Sequence, residues 1–331
     1  MAVDLPKRAV HGGTGKRQQE KTNKMVLDFS ASVNPFPPQF DWECKPSCLS
    51  YYPDNNYIQL KEHIARTFHR DADECCVGNG SIELIRVFCS VMMSGGKRYS
   101  IETPTFGEYE LSAQLAGATR SQSPHDAAVS FVCNPNNPTG HLRSKNEMRT
   151  LLSATAQNGM LFVDEAFIEL AAPRESLVDV RDDRLFVLRS LTKCFAVPGL
   201  RFGYGFGDPA LIEKIEVARP PWSVNAYAEA FAMQAFRRMD ALAKSRELIR
   251  HEREWLFVRL SAIGLRCHPS SVNYLLVEIG RAATPLTLQL ERLGILVRDC
   301  TSFGLPDCIR IAVRTREENT ILIEALTSCV Q

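Results

Sequence analysis

The hydrophobic and polar positions of the chain predict a protein of alternating strands and helices from about Tyr57 onward. Apolar residues at Ile82, Ile85, Phe88 and Met92 have the spacing of one helix face, and a Gly-Asn-Gly-Ser turn precedes them. This segment is therefore predicted to be an amphipathic helix that begins at a glycine-rich turn.

Short apolar runs that predict buried strands alternate with segments that predict helices. The runs are residues 129–133, 161–163, 185–188 and 202–206. Strands of a parallel sheet are buried on both faces, so they read as continuous apolar runs, and the connections between them are usually helices. We therefore predict an α/β fold with a mostly parallel sheet that is covered by helices.

The two ends of the chain differ from this central pattern. Residues 1–40 are polar and irregular, with glycines and lysines early and prolines later, which predicts an arm. Residues 227–263 are charged and helix-prone, and strand-like runs follow at 274–277 and 309–313. The predicted units are an N-terminal arm that contributes to the active site (1–40), a large domain (41–226) and a smaller α+β domain (227–331).

Composition and charge exclude several classes of partner. The chain has 331 residues, 45% of them hydrophobic, and its 39 basic and 38 acidic residues leave a net charge of +1. This balance gives no long-range field that would attract nucleic acid or an anionic membrane, so any anion site must be local. No apolar stretch is long enough for a signal peptide or a membrane span, which predicts a cytoplasmic protein.

The eleven cysteines predict reduced thiols and no metal site. Cys89 and Cys133, for example, lie within apolar runs, as core thiols do. Cys44 with Cys48 and the adjacent Cys75-Cys76 lack the paired C-x2-C spacing of zinc sites.

Polar residues follow the predicted strands at the edge where an open parallel sheet binds its ligands. Residues 134–140 (NPNNPTG), 164–165 (DE) and 189–193 (RSLTK) supply an amide, a carboxylate, hydroxyls and an amine. Pyridoxal 5′-phosphate (PLP) requires such a set: a lysine amine, a carboxylate for the pyridine nitrogen, and phosphate ligands. The turn at 78–81 (GNGS) offers backbone N–H groups at a helix start, and Arg201 adds a guanidinium.

A competing interpretation concerns nucleotide binding by the N-terminal arm. Residues 12–16 (GGTGK) resemble a phosphate-binding loop, but the full G-x4-G-K-[ST] spacing is missing and Arg17 occupies the Ser/Thr position. No apolar strand precedes the segment, so we reject a P-loop.

Four motifs, in this order along the chain, carry a family resemblance. They are residues 136–140 (NNPTG), 164–167 (DEAF), 190–193 (SLTK) and 198–204 (PGLRFGY). Over nearly its whole length the chain resembles the fold-type I PLP-dependent aminotransferases. The resemblance implies a large domain with a mostly parallel, seven-stranded sheet between helices, and a smaller C-terminal domain.

Further stretches distinguish subgroups of that superfamily: residues 11–13 (HGG), 27–35 (LDFSASVNP), 221–226 (PWSVNA) and 273–276 (NYLL). With them the chain is most similar to the L-threonine-O-3-phosphate decarboxylases of cobalamin biosynthesis, followed closely by the histidinol-phosphate aminotransferases. The aminotransferase subgroup usually has a tyrosine where this chain has Phe167.

The resemblance assigns the cofactor to a defined set of residues. Lys193 is the catalytic residue that carries PLP as a Schiff base, and the other cofactor-binding residues are Gly80, Ser81, Phe106, Asn137, Asp164, Ser190, Arg201 and Tyr52. Asp164 would pair with the pyridine nitrogen, Asn137 with the phenolic oxygen, and Phe106 would stack on the ring. Tyr52 would reach the phosphate from the neighbouring subunit, which implies a homodimer with shared active sites.

The resemblance also implies a phosphoamino acid substrate held by arginines, which bind both of its anionic ends in a bidentate manner. Arg310 is assigned to the carboxylate. The residues assigned to the phosphate are His11, Asn34, Arg298 and Arg314, and Gly12 is a further substrate-binding residue. An alternative is that Arg310 and Arg314, which alternate with apolar residues, form the solvated face of a strand. For the segment around His11, the alternative interpretation is a disordered arm.

The implied reaction is decarboxylation of L-threonine O-3-phosphate to (R)-1-amino-2-propanol O-2-phosphate and CO2, with L-serine O-phosphate as a variant substrate. Two alternatives stay open: histidinol-phosphate transamination to 2-oxoglutarate, and a catalytically silent PLP-binding protein. The orientation of the bonds at the substrate Cα decides between decarboxylation and transamination, and no linear motif encodes it.

Overall fold

The computed structural model describes residues 5–22 and 25–330. The α-helices of this part are α1 (Gly15–Thr22), α2 (Ile58–Phe68), α3 (Ser81–Met92), α4 (Glu108–Leu115), α5 (Lys145–Ala154), α6 (Leu191–Cys194), α7 (Pro209–Ala218), α8 (Ala226–Ala235), α9 (Leu242–Ala262), α10 (Ala283–Arg292) and α11 (Arg316–Val330). The strands are β1 (Leu27–Asp28), β2 (Cys75–Gly78), β3 (Arg98–Ile101), β4 (Thr119–Arg120), β5 (Val129–Cys133), β6 (Met160–Asp164), β7 (Leu185–Ser190), β8 (Gly203–Phe206), β9 (Arg266–Cys267), β10 (Tyr274–Glu278), β11 (Ile295–Leu296), β12 (Arg298–Asp299) and β13 (Cys308–Ala312). Short 3-10 helices span Pro46–Ser50, Ala72–Glu74, Pro124–Asp126, Ile168–Leu170, Pro173–Glu175, Phe236–Ala241 and Thr301–Phe303.

The central sheet has seven strands in the order β2-β8-β7-β6-β5-β3-β4. β8 runs antiparallel to both of its neighbours, whereas β4, β3, β5, β6 and β7 pair in parallel. All residues of β6 and β7 are buried, which explains why the sequence shows continuous apolar runs there. The predicted mostly parallel sheet is confirmed, and the run at residues 202–206 forms its antiparallel strand.

Helices cover both faces of the central sheet because successive residues of a strand face opposite sides. On β6, Phe162 packs in a hydrophobic cluster with residues of α3, α4 and α7. Leu161 and Val163 pack on the other side with Met148 and Leu152 of α5. The sheet is therefore the middle layer of a three-layer α/β/α arrangement.

The C-terminal part of the chain has an antiparallel sheet of its own, in the order β12-β13-β10-β9. Residues of α9, α10 and α11 pack against β10 and β13 in one hydrophobic cluster. The predicted helix-prone segment forms α8 and α9, and the predicted strand runs form β10 and β13. The boundary between the two domains at residues 226 and 227 stays a prediction.

The N-terminal segment is more ordered than an irregular arm. It contains α1, and β1 pairs in parallel with β11. Phe29 is fully buried in the C-terminal hydrophobic cluster, and its carbonyl accepts a hydrogen bond from Ala312 N at 2.9 Å. The hydrophobic pattern does not predict this packing, because a two-residue strand is too short to show an alternation and β11 lies far away in the sequence.

A side chain at Gly203, the first residue of β8, has no room. A Cβ there would lie 2.3 Å from Ser81 N and 2.7 Å from Gly80 C, which are backbone atoms at the start of α3. We expect Gly203→Ala to lower the free energy of unfolding by about 1–3 kcal/mol, because the backbone must shift to admit the methyl group. Urea denaturation measures the change. Gly199→Ala is the matched control, since no atom lies within 4 Å of its Cβ position, and equal losses for the two variants would contradict the prediction.

Candidate active site

Five strand ends meet at one edge of the central sheet and surround a cavity of about 710 Å³. The carboxyl ends of β2, β5, β6 and β7 lie at this edge because these strands are parallel to one another. β8 is antiparallel, so its first residue lies there too. The residues that line the cavity within four positions of these ends include Ser81, Asn137, Asp164, Lys193 and Arg201.

The cavity contains most of the predicted site residues. Those that line it are His11, Gly12, Ser81, Phe106, Asn137, Asp164, Ser190, Lys193, Arg201, Arg298 and Arg310. Gly80 lies next to it, in contact with Arg201. The chain therefore brings together residues from its N-terminal segment, its central sheet and its C-terminal sheet at one site.

Lys193 lies on the single-turn helix α6, whose N-cap is Ser190. Its carbonyl accepts a hydrogen bond from Asn34 N at 2.9 Å, and its Nζ lies 5.9 Å from the centre of the Phe167 ring. Burial, together with the charges of Arg310 and Arg201, lowers the pKa of Lys193 to about 8, against an opposing effect of Asp164. A substantial share of the amine is therefore neutral and nucleophilic near neutral pH.

Asp164 ends β6 and is 4% exposed. Its Oδ2 accepts a hydrogen bond from the Tyr109 hydroxyl at 2.7 Å, and its Oδ1 accepts one from Ala166 N at 2.8 Å. Burial raises the pKa of Asp164, while the hydrogen bonds from Tyr109 and Ala166 and the charge of Lys193 act in the opposite direction. The result is a buried carboxylate that faces the cavity and binds a proton more readily than an exposed aspartate does.

The start of α3 and the guanidinium of Arg201 form a candidate anion-binding site. Gly80 precedes the helix with a φ of +80°, and a Cβ at this position would lie 2.4 Å from Arg201 Nη2. Arg201 has a φ of +60°, an uncommon conformation for a residue with a side chain, and its Nη1 donates to Pro198 O at 3.1 Å. A helix N-terminus beside a guanidinium favours a phosphate.

Arg298 and Arg310 are direct partners across the pair β12–β13, so their side chains start from the same face of the C-terminal sheet. They are 7% and 6% exposed, and no carboxylate among the described residues forms an ion pair with either. Arg310 donates to Asn137 Oδ1 and, at 2.9 Å, to Ser30 O, and its buried Nε has no partner in the described part of the chain. Burial lowers the pKa of both guanidinium groups.

The N-terminal segment crosses the cavity and is held at successive residues. Arg298 Nη2 donates to Val10 O at 2.8 Å, and His11 Nε2 lies 2.8 Å from Glu108 Oε1. Gly13 N donates to Ser30 Oγ at 2.8 Å. The alternative interpretation of this segment as a disordered arm is therefore not the arrangement found here.

Glu108 is fixed between an arginine and a histidine. Its Oε2 accepts a hydrogen bond from Arg86 Nη2 at 2.9 Å, opposite the contact that His11 makes with Oε1. The hydrogen bond with His11 is the largest influence that lowers the pKa of Glu108, and Arg86 adds to it while burial opposes both. The carboxylate is thus held in its ionised form.

Besides Gly80, which lies next to the cavity, three predicted site residues do not line it in this single chain. Arg314 donates to Glu318 Oε1 at 2.7 Å and to Asp28 O at 3.2 Å. The Asn34 side chain is buried and bonds the backbone, donating to Cys194 O at 2.7 Å and accepting from Phe36 N at 2.9 Å. Tyr52 is 78% exposed and stacks on Trp222 at 4.5 Å between ring centres. Local hydrogen bonds thus occupy Arg314 and Asn34, which the sequence expectation placed on the substrate phosphate.

The sequence analysis missed several residues that support the site. Tyr109 binds Asp164, Glu108 holds His11, and Ser30 accepts hydrogen bonds from the Arg310 guanidinium and from Gly13 N. Tyr109, at the start of α4, follows Phe106 by three residues, and the two rings pack with 5.5 Å between their centres. That spacing was a usable signal, whereas no local pattern links His11 to a residue 97 positions away.

The described residues contain no candidate metal site and no candidate membrane span. No group of three or more His, Cys, Asp or Glu side chains in this part could hold a metal ion. No helix in the same residues is long and apolar enough to cross a membrane. Cysteines such as Cys75 and Cys194 are free and buried, and burial raises their pKa.

The residues of the cavity fit PLP. An amine of lowered pKa can bond the aldehyde, a buried carboxylate can face the pyridine nitrogen, and an amide can reach the phenolic oxygen. The absence of a Cβ at Gly80 leaves the guanidinium of Arg201 free to lie beside the helix start, where a phosphate would bind.

Comparisons with known proteins agree with this fit. A family model described as "Aminotransferase class I and II" matches residues 45–326. A protein of Caldanaerobacter subterraneus subsp. tengcongensis named "Putative threonine-phosphate decarboxylase" is 37% identical over 326 residues, which cover 89% of this chain and 88% of the relative. The histidinol-phosphate aminotransferase of Symbiobacterium thermophilum is 32% identical over 297 residues, 84% of this chain and 82% of the relative. Among solved structures, the histidinol-phosphate aminotransferase of Sinorhizobium meliloti in complex with pyridoxal-5′-phosphate superposes with a TM-score of 0.85 at 19% identity, covering 99% of this chain and 95% of that one.

The match of the family model extends over most of the chain, and the fold and the cavity agree with it. The central sheet is the α/β sheet of fold-type I PLP-dependent enzymes, and the strand ends carry the groups that PLP requires. The chain belongs to the aminotransferase class I and II family, and its cofactor is pyridoxal 5′-phosphate.

Proposed function

We propose that this enzyme decarboxylates L-threonine O-3-phosphate to (R)-1-amino-2-propanol O-2-phosphate and CO2, a step of cobalamin biosynthesis. L-serine O-phosphate is a variant substrate under the same proposal. The relative at 37% identity, whose name assigns this activity to it, supports the choice of substrate.

The observation that carries the proposal is the buried, cross-strand pair of Arg298 and Arg310. Like charges directly opposite each other in a sheet destabilise it, and buried charges normally have a counterion. The described residues supply no carboxylate to either guanidinium. A substrate with two anionic ends satisfies both, with its carboxylate on Arg310 and its phosphate on Arg298.

Within this proposal the cofactor residues keep the roles that the resemblance implies. Lys193 bonds the cofactor, Asp164 holds the proton on its pyridine nitrogen, and Asn137 donates to its phenolic oxygen. Phe106, at the cavity wall, stacks on the ring. Arg310 donates to Asn137 Oδ1, and this contact orients the Asn137 amide so that its nitrogen is available to the cofactor.

Gly80, Ser81, Ser190 and Arg201 anchor the cofactor phosphate in the proposal, and Tyr52 reaches it from a second copy of the chain. The exposure of Tyr52, 78%, and of the neighbouring Tyr51 and Trp222 supports a homodimer, because contiguous exposed aromatic side chains mark interfaces. In such a dimer each active site would contain residues of both subunits.

The residues of this chain orient the substrate and deliver a proton. PLP held by Lys193, Asp164 and Asn137 would supply an electron-withdrawing ring that weakens the bonds of the substrate Cα. The orientation of the substrate would then decide which of these bonds breaks. Arg298 and Arg310 hold the two anionic ends and thereby fix that orientation. Lys193, with its pKa of about 8, exchanges protons near neutral pH and supplies the proton that replaces CO2 on Cα.

Histidinol-phosphate aminotransferase is the second candidate, because relatives with that name reach 32 and 33% identity over more than four fifths of this chain. Against it, the aminotransferase subgroup usually has a tyrosine hydroxyl where Phe167 lies. The Phe167 ring packs against Tyr274 with 5.2 Å between ring centres and has no hydroxyl for the phenolic oxygen of the cofactor.

A catalytically silent PLP-binding protein is the third alternative. The joint presence of Lys193, Asp164, Asn137 and Arg201 in one cavity argues against it.

An assay of the purified enzyme with PLP separates these candidates. With L-threonine O-3-phosphate we expect CO2 and the amino-alcohol phosphate in equal amounts, measured by a coupled CO2 assay and mass spectrometry. Lys193→Ala should abolish both products and the cofactor's absorbance band, because the variant lacks the amine that bonds the aldehyde. Transfer of the amino group of histidinol phosphate to 2-oxoglutarate, which forms glutamate and no CO2, would instead identify the aminotransferase. The absence of both reactions would leave the silent protein.

Substitution of single arginines tests the proposed binding of the substrate phosphate. We expect Arg298→Gln to lower kcat/KM for L-threonine O-3-phosphate by about 10- to 100-fold, the loss of a charge-assisted contact. Arg314→Gln is the matched control and should stay within about threefold of the parent, because Arg314 is paired with Glu318 outside the cavity. Steady-state kinetics measure both values. Equal losses for the two variants would mean that Arg314 also reaches the substrate.

The pH dependence of cofactor loading tests the environment of Lys193. Only the neutral amine attacks an aldehyde, so the loading rate of the apoenzyme should rise with pH and level off above the lysine pKa of about 8. A pKa of 8 predicts a rate that is about tenfold lower at pH 7 than at pH 9. Stopped-flow absorbance measures it, and a free alkyl amine in parallel corrects for ionisation of PLP. A rate that still climbed at pH 10 would show that the amine is not perturbed.

A further inference from the structure

The N-terminal segment is fixed over the cavity from two sides at two consecutive residues. Arg298 Nη2, from the C-terminal sheet, donates a hydrogen bond to Val10 O at 2.8 Å. Glu108 Oε1, from helix α4 on the central sheet, lies 2.8 Å from His11 Nε2. The segment thus connects the two parts of the chain across the opening of the cavity. Each contact is made to a different part of the protein, so the loss of either would free one side of the segment.

Glu108 can hold His11 because it is itself held. Its side chain is 6% exposed and does not line the cavity, and its second oxygen accepts from Arg86 Nη2 at 2.9 Å. An ionised carboxylate only accepts hydrogen bonds, so the proton of this contact belongs to Nε2 of His11. The second ring nitrogen of His11, Nδ1, is then left for another partner. The ring lies 5.8 Å from that of Phe106, which restricts its tilt.

The glycines that follow His11 allow the backbone of the segment to pack closely against residues 28–30. A Cβ at Gly12 would lie 2.4 Å from Ser30 O, so only glycine allows the segment to lie this close to Ser30. Gly13 N donates to Ser30 Oγ and Gly15 N to Asp28 Oδ2. Ser30 O also accepts from Arg310 Nη2 at 2.9 Å, which connects the segment to the proposed substrate arginines.

We infer that Glu108 is a positioning residue for the anionic end of the substrate: clamped by Arg86, it holds the imidazole of His11 at the opening of the cavity, beside Arg298. The inference deepens the proposed function and rests on it for the identity of the phosphorylated substrate. Glu108 acts through His11 and touches neither cofactor nor substrate. Its effect therefore falls on binding of the phosphate and on closure of the segment, and the chemical step is unaffected.

Limited proteolysis of the holoenzyme tests the closure without any assumption about the reaction. Lys7 and Arg8 are exposed trypsin sites just before His11, and the exposed Lys97 is a reference site far from the segment in sequence. We expect Glu108→Ala to raise the cleavage rate at Lys7 and Arg8 by about tenfold, the loss of one charge-assisted hydrogen bond, with no change at Lys97. Glu102→Ala is the matched control, because Glu102 pairs with Arg143 and has no contact with the segment. An unchanged rate at Lys7 and Arg8, or an equal rise at Lys97, would overturn the inference.

Kinetics of the same variants test the positioning. Glu108→Ala should raise KM for L-threonine O-3-phosphate and the inhibition constant of inorganic phosphate by about tenfold, with kcat within about threefold of the parent. In a double-mutant cycle, addition of His11→Ala to Glu108→Ala should cause no further rise in KM, because both substitutions remove the same contact. A fall in kcat alone, or additive effects in the cycle, would overturn the inference. A parent enzyme that released no CO2 would refute the proposed function, and the proteolysis would still decide the role of Glu108.

Discussion

The parallel pairing of β5, β6 and β7 is the constraint on which the site depends. In this register Cys133 pairs with Asp164 and Asp164 with Leu188, so the three strands end at nearly the same level. The residues that follow each end are separated by tens of positions in the sequence, yet the sheet places them around one cavity. The antiparallel β8 contributes its beginning to the same edge, which is why Arg201 lies opposite Gly80. The cofactor set is thus a consequence of strand direction.

The electrostatics of the cavity follow from burial of several cations in one place. Lys193, Arg201, Arg298 and Arg310 line it in a chain whose net charge is only +1. Their mutual repulsion contributes to the lowered pKa of Lys193, and it also makes the ligand-free cavity less stable than a neutral one. Anionic ligands relieve this repulsion, so binding of cofactor and substrate should stabilise the folded enzyme as well as fill the site. The attraction of anionic ligands therefore comes from the positive potential of the cavity, because the net charge of +1 produces no long-range field.

The central sheet could be predicted from the sequence because its strands are encoded locally, and the same local pattern brings the candidate cofactor residues to one edge of the sheet. The buried runs at β5, β6 and β7 are continuous. Asp164 ends β6, and Asn137 and Lys193 come four and three residues after the ends of β5 and β7. Contacts between distant segments could not be predicted in the same way. The pairing of β1 with β11, the burial of Phe29 and the contact of His11 with Glu108 depend on packing that leaves no periodicity in the sequence. Arg314 pairs with Glu318, four residues away on the first turn of α11, and its assignment to the substrate, which came from the resemblance, stays a prediction.

The residues directly next to the cofactor set explain how it keeps its position. Strand side chains alternate in direction, so Glu165 and Arg189 point away from the side on which Asp164 and Ser190 line the cavity. Arg189 Nε donates to Glu165 Oε2 at 3.0 Å and Arg189 Nη2 to Ser176 Oγ at 2.6 Å, and Arg189 also pairs with Glu169. All of these side chains are buried. Removal of one member would leave an uncompensated buried charge, which is strongly destabilising, so the network tolerates little displacement. This network joins the ends of β6 and β7 on the face of the sheet opposite the cavity. It therefore fixes the backbone that carries Asp164 and Lys193.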